Sequence, residues 1–335
     1  MKKILIIHTG GTFGMVPQRP TETLAPAAVQ ENILTYVPEL TRLAAIDFRA
    51  HLNMDSADLQ PHHWQGMAEL IFAHRNDYDG FVLIHGTDSL THTAAALSFM
   101  LPDFPRPVIL TGSQRPLAEI RSDARGNLIG AVELATLDIP EVCIFFGNHL
   151  LRGNRAVKIS STDYGAFVSP NYPELAHVGI EVALTGYHRQ PGGTPALHTD
   201  IADAVLAFPF FPGLNPNYLA GLVESELRAL VILGLGMGNV AVRERTFVTL
   251  VERLTAAGKV VVIGSQSHYG WVDLTRYSNG RILAEAGAVG SGDMTLPATL
   301  VKLMHLLGRH DGDAEAVRRV WFDPIAGEVT VKADR

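Results

Sequence analysis

The octapeptide HTGGTFGM (His8–Met15) places Thr9 and Thr12 around a glycine pair, directly after the apolar run KILIIH. A glycine-rich turn after a first strand commonly holds a phosphate on its backbone amides. The dinucleotide pattern G-x-G-x-x-G is not met, because Gly10 and Gly11 are adjacent and Gly14 follows. The acidic residue expected about 20 positions further on is not clearly placed at a strand end, and there is no Walker-type lysine. A hydroxyl nucleophile explains the turn better. The glycines let the backbone approach a substrate, Thr12 presents its hydroxyl, and neighbouring N–H groups are available to stabilise an oxyanion.

A threonine hydroxyl is a weak nucleophile until a partner takes its proton. No Ser-His-Asp pattern is evident, and His8 and His85 each end a strand, where simple packing accounts for them. The other option is a lysine beside an aspartate: burial lowers a lysine's pKa, while the carboxylate orients it and pulls the pKa back up. Thr87, Asp88 and Lys158 are the candidates for such a relay, although the sequence does not show their contact.

These residues recur at one kind of position. Strand-like runs are followed by Thr9-Gly10-Gly11-Thr12, by Met54-Asp55-Ser56, by His85-Gly86-Thr87-Asp88 and by Thr111-Gly112-Ser113-Gln114, and a fifth leads through Arg152-Gly153-Asn154-Arg155 to Lys158. In open parallel sheets ligands bind beyond the carboxyl ends of the strands. Each residue also has an ordinary role: Ser56, Asp58, Asp88 and Ser89 suit helix caps, and Lys158 suits a solvated surface. It is their repetition on one rim that points to a site. The histidines, including His62-His63, show no convincing metal spacing, so no metal is expected. The scattered aromatic residues form no stacking platform.

The elements that must position this rim alternate. Strands are expected at 3–8, 47–53, 80–85, 107–111 and 141–147, with helices near 27–37, 61–75, 90–101 and 122–137. That spacing implies βαβ units and a mainly parallel sheet. A Gly- and Pro-rich stretch around 186–200 reads as a linker, and a second alternation follows: strands near 204–210, 229–234 and 259–264, helices near 216–226, 243–257 and 293–308. The expected fold is α/β, with a mainly parallel open sheet in an N-terminal catalytic domain (1–190), a linker (191–203) and a smaller α/β domain (204–335).

The 335 residues are 47% hydrophobic and 18% charged, which argues against a disordered chain. A net charge of −7 argues against nucleic-acid and anionic-membrane partners. The single cysteine, Cys143, lies in an apolar run and reads as a small buried hydrophobe. MKKILIIHTGG imitates a signal peptide, but its apolar run is too short, and no stretch approaches a spanning helix, so a soluble cytoplasmic protein is expected.

TGGTFGM, MDSAD, HGTDSLTHTAAALSFML, TGSQRPLAEIRSDARGNL, RGNRAVK and DMTLPATLVKL resemble, in order, the bacterial cytoplasmic (type I) L-asparaginases. TGGT with HGTD at this separation is the specific pair. The resemblance implies hydrolysis of L-asparagine through an acyl-enzyme, without a cofactor. Thr12 then matches the nucleophile and Thr87 the second catalytic threonine, with Asp88 and Lys158 completing its relay. Ser56 matches the contact to the α-carboxylate, Asp88 that to the α-amino group, and the backbone at Ser113 that to the side-chain amide. Gly11, Asp55 and Gly86 complete the substrate-binding set. Family members assemble as dimers or dimers of dimers.

Two departures stand out. The segment from Val16 to Pro26 reads as a lid, yet the tyrosine usual there is absent, and its aligned place falls near Leu24. Some members bind a second asparagine as activator. The residues they use align with Val157, Leu233 and Ser267, and an apolar Leu233 in place of a cation should not hold a carboxylate, so no activator site is expected. Competing readings are an amidase serving tRNA-dependent amidation, disfavoured because this chain begins directly at its first strand, and a non-catalytic amino-acid-binding protein, for which the missing tyrosine is the only support.

Overall fold

The computed structural model describes residues 1–18, 23–26, 33–243 and 246–331. The chain divides into two compact units, Met1–Thr199 and Asp200–Arg335.

The first unit begins with β1 (Lys3–Gly10), followed by β2 (Met15–Gln18) and β3 (Thr23–Pro26), which pair antiparallel as a ribbon. Short α1 (Ile33–Tyr36) and α2 (Leu40–Leu43) lead to β4 (Ala45–Met54). Then come α3 (Pro61–Ala73), β5 (Gly80–Ile84), α4 (Leu90–Met100), β6 (Val108–Thr111), α5 (Ala124–Ala135) and β7 (Val142–Phe146). The unit ends in short strands: β8 (His149–Arg152), β9 (Val157–Lys158), β10 (Phe167–Val168), β11 (Ala176–Val178) and β12 (Val182–Leu184).

Eight of these form one sheet in the order β12-β11-β8-β7-β6-β5-β1-β4. The pairs from β4 through β7 are parallel and those from β7 to β12 antiparallel. The inner parallel strands β1, β5, β6 and β7 are buried on both faces, as their continuous apolar runs require, whereas β4 at the edge is partly exposed along its length. Ile4, Ile6, Val82, Ile84 and Ile109 join Leu128 and Ala131 of α5 in one core layer, while the alternate residues Leu5, Ile7, Phe81 and Leu83 are buried as well. Cys143 is fully buried in this layer, and burial pushes its thiol well above the usual range.

The sheet order reverses at β1. The chain passes from β1 to β4 on one side, then crosses back to β5 on the other. This is the switch point at which doubly wound sheets leave a crevice. The turns after β1 and β5 flank it, and they carry Thr12 and Thr87.

The second unit holds a parallel four-stranded sheet in sequential order: β13 (Val205–Pro209), β14 (Ala229–Gly234), β15 (Val260–Ser265) and β16 (Val289–Gly290). Its helices are α6 (Thr246–Ala256), α7 (Ser278–Glu285), α8 (Leu296–Arg309) and α9 (Ala314–Val320), and separate apolar cores cover the two faces. Both units are thus α/β, with a mainly parallel sheet in the larger one.

Some expectations need correction. The helix expected at 216–226 is a 3-10 segment, Pro216–Val223; Gly221 and the β-branched Val223 weaken α-helical propensity there, and Asn215 caps it by accepting from Asn217 N–H. Of the helix expected at 27–37, residues 27–32 lie outside the described residues, and the remainder is the single turn α1. No strand is expected between 147 and 204, yet β8 to β12 lie there, and a further helix, α7, lies beyond β15.

Candidate active site

The rim is built by turns pressed against each other. Gly10 and Gly11 adopt φ of +114° and +83°, conformations open to glycine. A Cβ on Gly10 would lie 2.2 Å from the Met54 carbonyl oxygen, and one on Gly11 would lie 2.4 Å from the Gly86 Cα. Gly11 N–H donates to Met54 O at 3.2 Å. The space the glycines leave is therefore filled by the end of β4 and the turn after β5, a different use from close approach to a substrate. A Cβ on Gly86 would in turn meet Ser56 Oγ at 2.6 Å. The turns bearing Thr12, Ser56 and Thr87 interlock, so none can shift alone.

Thr12 opens a 3-10 turn, Thr12–Gly14. Phe13 is 1% exposed and anchors that turn in the core, and its carbonyl accepts from Leu117 N–H, whereas Thr12 stays half-buried. Below the turn His8 is buried, and desolvation lowers its pKa to about 4. It is a neutral, packed imidazole.

Ser56 is buried; its Oγ accepts from Ser89 N–H at 3.4 Å, and its carbonyl accepts from the Ser89 hydroxyl at 2.6 Å. The cap of the Ser56–Asp58 turn is Asp55, whose carboxylate accepts from Ala57 N–H at 2.9 Å. Ser89 occupies the position before α4 but makes no side-chain cap. Asp88 is engaged elsewhere.

Lys158 Nζ donates to Thr87 Oγ1 at 2.9 Å and to Asp88 Oδ1 at 2.6 Å. The three residues that the sequence left unconnected thus meet. Thr87 is buried, the Lys158 side chain is 18% exposed, and that of Asp88 is 67% exposed. Lys158 engages one Asp88 oxygen, and the open side of the carboxylate remains available to a cation.

Lys158 is delivered by chain return. β8 runs antiparallel to β7, a 3-10 turn (Gly153–Arg155) follows, and β9 pairs with β10 so that Lys158 lies opposite Phe167. Beneath it, Arg152 Nε donates to Glu141 Oε2 at 2.6 Å, with both side chains 4% exposed.

Three residues of the site were missed as functional candidates. Gln114 Oε1 accepts from the Thr87 hydroxyl at 3.4 Å, while its Nε2 donates to Asp163 O at 3.0 Å. Gln114 N–H in turn donates to Asp123, whose carboxylate also accepts from Asn127 Nδ2. Asn127 Nδ2 holds Gly112 O as well, at 2.9 Å. The only available signal was the position of Gln114 in the turn after β6. Ser113, next to it, is 1% exposed, and its hydroxyl has no partner among the described residues.

His85 is fully buried, and desolvation lowers its pKa to about 4. Its Nδ1 faces Gly86 O at 2.7 Å and its Nε2 faces Thr93 Oγ1 at 2.9 Å. A carbonyl only accepts, so Nδ1 carries the proton and Nε2 accepts from the Thr93 hydroxyl. That hydroxyl accepts from Trp64 Nε1 at 3.0 Å, which completes a neutral chain holding the Gly86 peptide.

The expected lid begins as the β2–β3 ribbon, with Pro17 opposite Leu24. The Leu24 side chain, and with it the question of what replaces the tyrosine, lies outside the described residues, as do residues 19–22.

The doubly wound sheet brings hydroxyls, a carboxylate and a lysine to its switch point, groups suited to nucleophilic and acid–base catalysis. The N-terminal asparaginase family model matches residues 3–190, and the glutaminase/asparaginase C-terminal domain model matches residues 204–321. The chain is 39% identical to L-asparaginase 1 of Escherichia coli K12 over 336 aligned residues, covering 98% of both chains. The solved structure of the thermostable L-asparaginase from Thermococcus kodakarensis superposes with a TM-score of 0.90 at 37% identity, covering 98% of this chain and 100% of that one. A component of the glutamyl-tRNA(Gln) amidotransferase of Pyrococcus horikoshii is 34% identical over 98% of this chain and 76% of its own length. The chain belongs to the asparaginase family and is an amidohydrolase. Among the described residues no helix is long and apolar enough to cross a membrane.

Proposed function

We propose that the protein hydrolyses L-asparagine to L-aspartate and ammonia in the cytoplasm, through an ester on Thr12. Thr87, Asp88 and Lys158 move the protons. The observation that carries this reading is Lys158 Nζ bridging Thr87 Oγ1 and Asp88 Oδ1 beside the sheet's switch point. A dipolar amino acid needs an anion for its ammonium, donors for its carboxylate and a nucleophile for its amide. The free side of Asp88, the Ser56 turn and Thr12 supply these. Thr12 Oγ1 bonds to the carboxamide carbon as the carbonyl pair moves onto oxygen, where backbone N–H groups stabilise it. Collapse breaks the C–N bond, and nitrogen leaves as ammonia with a proton returned by the relay. Water then attacks the ester, and Thr12 recovers its hydroxyl hydrogen. Activation of Thr12 proceeds without the lid tyrosine, and the enzyme works as a homodimer or a dimer of dimers.

A second reading rests on the amidotransferase relative: ammonia release serving a partner protein. Ammonia release from L-asparagine by the isolated protein separates the two. The expected result is turnover by the wild type that falls by about a thousandfold or more in Thr12→Ala and Thr87→Ala. Absence of turnover, with asparagine still raising the melting temperature, would replace catalysis by binding. Turnover only on adding a tRNA-amidating partner would favour the second reading.

A further inference from the structure

We propose that His149, Glu174 and His177 form a binding site for a divalent transition metal of the zinc type, separate from the residues of the proposed active site. His149 opens β8, His177 is the middle residue of β11, and the two are paired directly in the antiparallel register. Val178 N–H donates to Asn148 O at 2.8 Å, which makes His149–His177 a non-hydrogen-bonded pair. In such pairs the facing side chains come closest. The flanking partners Leu150 and Ala176 are fully buried, so strand alternation sends both histidines to the exposed face. Their rings are 5.1 Å apart between centroids and nearly edge to face.

Glu174 stands between them. Its Oε2 is 2.5 Å from His149 Nδ1, and its Oε1 is 4.0 Å from His177 Nδ1. The Glu174 carbonyl accepts from the Thr185 hydroxyl at 2.6 Å, which fixes the backbone that carries the carboxylate. One ligand atom from each residue lies within 4.8 Å of the others. Zinc bonds of about 2.0–2.2 Å in tetrahedral array put ligand atoms roughly 3.3–3.6 Å apart. The observed spacings bracket that value, and side chains that are one-third to one-half exposed have room to close on an ion.

The donor set selects the metal. Two imidazole nitrogens and one carboxylate suit zinc, nickel or copper and leave a fourth position for water. Calcium and magnesium, which prefer oxygen, are disfavoured. Without an ion, the exposed His149–Glu174 pair contributes little to stability, and that alone does not explain why a second histidine converges on the same carboxylate. Sequence spacing concealed the site, because His149 and Glu174 are 25 positions apart and meet only through strand pairing. A bound ion would tie β11 to β8, the strand that leads through the Gly153–Arg155 turn to Lys158 in β9.

The test uses untagged, metal-stripped protein. Equilibrium dialysis against micromolar zinc, read by atomic emission, is expected to leave one zinc per chain. The double variant His149→Ala/His177→Ala should bind at least about tenfold more weakly, and Glu174→Gln should weaken binding as well. His62→Ala, which removes an exposed histidine from the His62–His63 ring pair, should leave zinc binding unchanged. Cobalt added to the wild type should give the visible absorption of a four-coordinate nitrogen–oxygen site, a readout independent of how the variants fold. Zinc retained equally by wild type and double variant, or no zinc and no cobalt band in the wild type, would overturn the proposal.

Discussion

Two ion pairs in the first unit look alike on paper and differ in what they do. Lys158–Asp88 is open to solvent on the aspartate side, and exposed pairs contribute only about 0–1 kcal/mol. Fold stability therefore gives little reason for a lysine to be held there. A proton relay that must meet substrate gives a better one. Gln114 adds orientation: with Lys158 donating to Thr87 Oγ1, the hydroxyl hydrogen of Thr87 is directed at Gln114 Oε1. His85 and His8 have the opposite role, as neutral groups packed beneath the turns, and this has a pH consequence. Burial lowers both from 6.5 to about 4. Between those values the unfolded chain binds protons that the folded chain refuses, so unfolding free energy rises with pH across this window. The stability is fully present above about pH 6.5 and is lost as pH falls toward 4, by on the order of 3 kcal/mol per histidine. Burial lowers His92 as well, which acts in the same direction. Urea midpoints measured from pH 7 to 4.5 should fall steadily. A flat profile would show that these imidazoles are not held neutral in the fold.

At the scale of elements, β1, β5, β6 and β7 were legible because each is a short apolar run bounded by turn residues, and β4 was expected as well, whereas β2 and β3 were read only as part of a lid. The helices α3, α4 and α5 were legible because Pro61, Pro102 and the intervening apolar patterns mark their limits. The rim residues could be named for the same reason: they follow legible strands. The stretch from β8 to β12 was not legible. Strands of two to four residues with mixed exposure carry no period long enough to read, and their pairing is set by non-local register. That is also why Thr87, Asp88 and Lys158 could be suspected but not connected, and why Gln114 was named without a role. The return of β8 along β7 makes the connection, and Glu141–Arg152 anchors it. Both side chains are 4% exposed, and Glu141 Oε1 also accepts from Arg189 N–H. Arg152→Met leaves a buried carboxylate without its cation, and such losses cost about 3–5 kcal/mol. Urea denaturation should show a loss of that size, and pairing it with Glu141→Gln should recover part of it. A loss below about 1 kcal/mol for the single variant would mean that water reaches the carboxylate and that the pair is not an anchor.

At the scale of the whole molecule, each unit has its own sheet and cores, and family resemblance raises the question of whether the chain responds to its substrate at a second place. The positions that matter are Val157, Leu233 and Ser267. In the first unit, Val157 is 5% exposed and forms β9 beside Lys158. In the second, Leu233 ends the apolar stretch of β14 and packs against a cluster that includes Val231 and Val262. An α-carboxylate placed against Leu233 would lose hydration and gain neither a cation nor a charge-assisted hydrogen bond there, and burying an unpaired charge is strongly unfavourable. A small hydroxyl at Ser267 does not offset that. A chain that binds asparagine at one place only has no coupling free energy to bend the saturation curve, and that is the behaviour expected from an apolar Leu233. Initial rates of ammonia release should therefore follow a hyperbola from micromolar to millimolar asparagine, with a Hill coefficient of about 1. A sigmoidal curve would mean that asparagine is recognised by residues other than these three, and the binding of labelled asparagine at more than one site per chain would then have to be traced to them.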